Sequence, residues 1–155
     1  MALKAASLRP PVPLLFQLLI VPVVDNTASP SDERYPSWAE NAQTACLPAD
    51  LMVWFRNHYL PKAEDRLNWD NSPIFAPDGL VIHAPKAWIA VTGMDILRDE
   101  GLAYGEKLTR AGVDVTMKVY EKAPHLINVF DGTCFDLKED SSLSDFWFVS
   151  RAGSV

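Results

Sequence analysis

Two cysteines in 155 residues, Cys46 and Cys134, are too few for a disulfide framework and do not form a CxxC metal-binding spacing. That shortage points to a reducing compartment, so a cytoplasmic location is expected, and neither a metal nor a cofactor is implied. There is no cluster of Lys or Arg, and the formal net charge is −6. Nucleic acids and anionic membranes both need a basic patch, so neither is an expected partner. No apolar run approaches the ~20 residues of a membrane-spanning helix. N-x-[ST] acceptors are also absent. A weaker, secretory reading rests on Lys4 and Arg9 ahead of an apolar run from Leu14 to Val24, with small residues near Ala28. Gln17 and Pro22 interrupt that run, which fits a buried strand better.

What is present suits one soluble domain: 48% hydrophobic and 22% charged residues, in a chain long enough for one core and too short for two. Residues 14–24, LLFQLLIVPVV, are almost continuously apolar, as expected of a parallel strand covered on both faces. Residues 25–46 are rich in Pro, Ser, Asn and Asp and read as an excursion with short helical pieces. Residues 47–60 predict an amphipathic helix, with Leu51, Trp54, Phe55, His58 and Tyr59 on one face. Pro48 suits its first turn and Pro61 its end. That face either packs into the core or lines an apolar pocket.

A second buried strand, AWIAVT, covers Ala87 to Thr92, and a helix follows the turn at Gly93. Asp99 and Glu100 fall in its first turn, where carboxylates complement the positive end of the helix dipole. Leu97, Gly101, Tyr104, Leu108 and Ala111 recur on one face, with Gly101 and Gly105 suiting a close approach to a strand. Gly112 ends the helix. Residues 113–120 alternate, with Val115, Met117 and Val119 on one side, as in a half-exposed strand near the sheet edge.

In open parallel sheets, the loops leaving the carboxyl ends of neighbouring strands converge. Asp95 follows one such strand and His125 the next. An imidazole there can act as general base and acid, and a carboxylate on its other nitrogen fixes the tautomer. The plainer readings are a helix-entry Asp that caps free N–H groups and an ordinary loop histidine after Pro124.

The stretch AWIAVTGMDILRDEGLAYGEKLTRAGVDVTMKVYEKAPH, with its G-x-D-x-L-x-D-E core, resembles the C-terminal part of the hormone-sensitive-lipase-like esterases of the α/β-hydrolase fold. LLFQLLIVPVVD resembles that family's sixth strand, and LMVWFRNHYLP with SPIFAP its intervening segment. The resemblance implies an α/β fold, specifically the C-terminal portion of an α/β-hydrolase, with parallel strands six to eight, flanking helices and an incomplete sheet. It places a partial domain at 1–130, with the intervening helical segment at 25–86 and an unplaced tail at 131–155. It makes Asp95 the triad acid and His125 the triad base. Leu51, Trp54, Phe55 and His58 become candidates for the substrate pocket, and a small-molecule ester the expected partner.

The departures carry as much weight. Neither HGGG nor GxSxG occurs in the 155 residues, and MALKAASLRPP stands where the helix after the nucleophile elbow should be ending. Leu126 and Ile127 replace the usual Gly and aromatic after the histidine, and the final helix is not recognisable beyond Phe130. Ser72, Cys134 and Ser141 do not sit on the strained strand-to-helix turn that activates a nucleophile. The expectation is therefore a fragment or truncated form of a carboxylic-ester hydrolase, inactive alone. The alternative is a catalytically inactive protein that binds a small molecule or a partner. Without the preceding strands, the edge from Leu14 to Val24 would be exposed and open to self-association.

Overall fold

The computed structural model describes residues 2–125. Leu126, Ile127, Cys134, Ser141 and the 131–155 tail lie outside the described residues. Three parallel strands form an open sheet in the order β1 (Gln17–Ile20), β2 (Ala87–Met94), β3 (Val115–Pro124). The AWIAVT run takes the central place because it tolerates cover on both faces. Ile89 and Val91 face one side, Ala90 and Thr92 the other, and all four are buried.

Among the described residues, five α-helices accompany the sheet: α1 (Ala2–Ser7), α2 (Ser37–Glu40), α3 (Ala49–Tyr59), α4 (Asp78–Val81) and α5 (Arg98–Arg110). None is long and apolar enough to cross a membrane. α5 links β2 to β3 and lays Tyr104 and Leu108 against Ile89 and Val91 in the main core. Gly105 allows the contact to be close, since a Cβ there would lie 1.9 Å from Met117 Cε on β3. Gly112 follows with φ +83°, the left-handed conformation that ends a helix at low cost. A second cluster, around Trp38, Met52, Ile96 and Leu97, seats α2 and α3 against the start of α5.

Three expectations are corrected. The strand expected over residues 14–24 is only four residues long. Residues ahead of Gln17 have no partner, because β2 begins at Ala87, opposite Gln17. Beyond Ile20 the chain turns at Val21, with φ 43°, and Pro22 has no N–H to donate. β1 lies at the sheet edge, as expected without the preceding strands, but it is not covered on both faces: Leu14, Leu15, Phe16, Leu18 and Val23 are exposed. β3, in contrast, runs four residues past Tyr120, to Pro124.

The third correction concerns α3. Its buried residues are Ala49, Met52 and Arg56, whereas Trp54 is 53% exposed, Phe55 49% and Tyr59 72%. The aromatic face points to solvent, so core packing does not explain it. Arg56 turns inward, and its guanidinium Nη1 donates to the carbonyl of Ala28. Its burial and the neighbouring Arg66 hold its pKa below the ordinary arginine value.

Candidate active site

The site begins with strand register. β2 and β3 pair in step from Ala87 and Val115 to Thr92 and Tyr120, and next at Met94 and Pro124. Two residues of β2 thus span the step that takes four on β3, so β3 bulges at 121–123. The bulge leans on Gly93, where a Cβ would lie 2.1 Å from the Glu121 carbonyl oxygen. Past the Met94–Pro124 pair, the next residue on each strand is Asp95 and His125.

His125 Nδ1 lies 2.9 Å from Asp95 Oδ2. The Asp95 carboxylate is buried and the imidazole keeps partial exposure. A carboxylate can only accept, so Nδ1 carries the proton and Nε2 is left as the basic nitrogen. The same Oδ2 accepts from Thr92 Oγ1 at 3.4 Å, while Oδ1 accepts from the Leu97 backbone N–H at 3.0 Å. The helix-entry role and the pairing with histidine therefore coexist, with one carboxylate oxygen turned to each.

Several residues around the pair carried no signal in the sequence. Asn41 Nδ2 donates to the Gly93 and Asp95 carbonyls at 3.3 and 3.2 Å, Thr44 Oγ1 to the Met94 carbonyl at 2.6 Å, and Arg98 Nη1 to the Gly93 carbonyl at 3.2 Å. Ser37 Oγ donates to the Ile96 carbonyl at 2.7 Å, and the Ser37 N–H donates to Asp99 Oδ2 at 2.7 Å. Burial opposes ionisation of Asp99, but its bonds to Arg98 and Ser37 prevail and hold its pKa below the usual carboxylate range.

Behind this loop lies a buried acid network. Glu100 is fully buried. Its Oε1 accepts from the Val24 and Asp25 N–H groups at 2.9 and 3.2 Å, and its Oε2 from Trp38 Nε1 at 3.0 Å. Burial pushes its pKa up to about 7 against the pull of those three donors, and the nearby Asp25 carboxylate adds to the rise. Asp25, also buried, accepts from Thr27, Arg34 and Tyr35. Nothing in these residue types announced the network, since Glu100 is brought to its partners from 62 to 76 positions away.

The pocket candidates stand on the outer face of α3. Trp54 stacks on His58 with ring centroids 4.1 Å apart and meets Phe55 edge-on at 5.2 Å. Among the described residues, no group of three or more His, Cys, Asp or Glu side chains could hold a metal ion.

The family model for the α/β hydrolase fold matches residues 1–128. The chain belongs to the α/β-hydrolase fold family. An AB hydrolase superfamily protein of Schizosaccharomyces pombe is 45% identical over 119 residues, which is 77% of this chain and 34% of that relative. Among solved structures of this family, a thermostable esterase from Pseudomonas putida ECU1011 superposes with a TM-score of 0.71 at 36% identity, over 80% of this chain and 37% of that one. Brefeldin A esterase, a bacterial homologue of human hormone-sensitive lipase, superposes with a TM-score of 0.74 at 27% identity, over 83% and 36%. This α/β-hydrolase chain thus spans about a third of the length of these relatives.

Proposed function

We propose that Asp95 and His125 are the acid and base of a nucleophile–His–acid triad for carboxylic-ester hydrolysis. The observation that carries this reading is the 2.9 Å contact between a buried carboxylate and Nδ1 of the imidazole at two adjacent strand ends. In the proposed reaction, Nε2 takes the proton of a serine hydroxyl as its oxygen attacks the ester carbonyl. The imidazolium, stabilised by Asp95, then returns that proton to the departing alkoxide. Water repeats the cycle on the acyl-enzyme, releasing the acid and restoring the serine.

Neither GxSxG nor HGGG is among the 155 residues, so nucleophile and oxyanion donors come from elsewhere in this reading. The free edge of β1, with Leu14, Phe16 and Leu18 exposed beside it, is where a completing strand would pair. The stripe of half-buried Leu51 with exposed Trp54, Phe55 and His58 then supplies apolar surface to an acyl or alcohol group. Alone, the chain is a very poor esterase, because one oxyanion donor is worth about 3–4 kcal/mol and the attacking group is also missing.

The test is a chimera in which this chain replaces the matching 37% of the Pseudomonas putida esterase. Turnover of p-nitrophenyl acetate that falls about 10⁴-fold with Asp95→Asn would support the reading. Turnover indifferent to Asp95 and His125 would refute it. A folded chimera without turnover, stabilised by a small molecule, would favour the non-catalytic alternative.

A further inference from the structure

Beyond Ala90 the central strand loses β1, and beyond Thr92 its pairing with β3 becomes irregular. β1 has ended, with the Val21 N–H on the Ala90 carbonyl as its last contact. β3 has bulged away between the pairs at Thr92 and Met94. The carbonyls of Gly93, Met94 and Asp95 therefore lie where the ladder turns irregular and ends, at the segment that carries the acid. All three accept hydrogen bonds from side chains, two of which come from the excursion between β1 and α3.

Asn41 spans the segment, donating to the carbonyls of Gly93 and Asp95, while Thr44 takes the Met94 carbonyl between them. Arg98 adds a third donor from inside the loop, also to Gly93. Its guanidinium is held in turn, with Nε 2.8 Å from Asp99 Oδ1 and Nη2 2.8 Å from Glu40 Oε2. Every donor is thus anchored in the α2 segment or bonded to it. We propose that Asn41, Thr44 and Arg98 form a clamp that positions Asp95 for His125. The clamp rests on the reading of Asp95 and His125 as an acid–base pair. It touches neither carboxylate oxygen nor the imidazole, so its members are positioning residues. The peptide planes on either side of Asp95 are fixed by the clamp, and with them the direction of Oδ2, whose bond to Nδ1 selects the imidazole tautomer.

The test reads that tautomer in the full 155-residue chain, by long-range ¹H–¹⁵N correlation of the three histidines, with His125→Ala supplying the assignment. In the unsubstituted protein His125 is expected as the Nδ1–H form, and Asp95→Asn should abolish that preference. Thr44→Val and Asn41→Leu remove donors from the clamp. Each should raise the Nε2–H share of His125 roughly threefold or more, the population change of one weakened hydrogen bond. Thr44→Ser, which keeps the hydroxyl, should restore the original spectrum. If Asn41→Leu fails to fold, the exposed Thr44 pair carries the test. A His125 tautomer that responds to Asp95→Asn but not to Thr44→Val in folded protein overturns the clamp alone. One indifferent to Asp95→Asn overturns the acid–base reading beneath it.

Discussion

Replacing Glu100 by Gln is expected to change how stability depends on pH. The Glu100 carboxyl is buried, and its pKa is raised from 4.5 to about 7 in the fold. The raised value means that the folded state holds its proton in a range where the unfolded chain has released it. This contribution to stability is therefore fully present below about pH 4.5 and is lost as pH rises to about 7. The shift corresponds to about 3 kcal/mol in total, of which about 2 kcal/mol falls between pH 5.5 and 8. Glutamine cannot ionise, but its amide nitrogen would oppose the Trp38 indole N–H, donor against donor. At pH 5.5 Glu100→Gln should thus be the less stable protein by about 1–3 kcal/mol. By pH 8 the unsubstituted protein should have lost about 2 kcal/mol of that advantage. The assay is urea unfolding at both pH values, followed by tryptophan fluorescence, which includes the buried Trp38 at the network itself. A stability gap that stays constant or widens from pH 5.5 to 8 would refute the reasoning.

Two further expectations concern packing. Gly93→Ala should destabilise by about 3 kcal/mol, because its Cβ meets the Glu121 backbone oxygen on the bulge, whereas Gly105→Ala meets only the flexible end of Met117 and should be near neutral; urea midpoints in the reverse order would contradict this. Trp54→Ala and Phe55→Ala should each change stability by less than about 1 kcal/mol, since both rings are half exposed, and a loss of several kcal/mol in thermal melts would show that α3 buries this face after all.

Some of this fold could be read locally. β2 and α5 declare themselves because an unbroken apolar run, a pair of acidic residues and an apolar stripe on α5 all act within a few turns of chain. Asp95 and His125 could be found because two strand ends and one intervening helix fix where their loops must meet. The extent of β1 could not, since a strand exists only as far as its partner, and the run from Leu14 to Val24 says nothing about where β2 begins. The α3 face was misread because aromatic rings look like core, while the inward contacts are made by Ala49, Met52 and the guanidinium of Arg56. Asn41 and Thr44 were silent, and the partners of Glu100 unreadable, for a different reason: each acts on backbone groups 50 or more residues away.

The bulge in β3 bears on which changes of length the chain can tolerate. Had the strands stayed in step past Thr92, Asp95 would stand level with Ala123, and His125 about 7 Å further out, on the same face but out of reach. The two surplus residues at 121–123 act as slack taken up before the histidine. A single deletion there would send the imidazole to the opposite side of the sheet, whereas a double one would straighten the strand and bring it back level with Asp95. The length of this segment can therefore change by two residues but not by one.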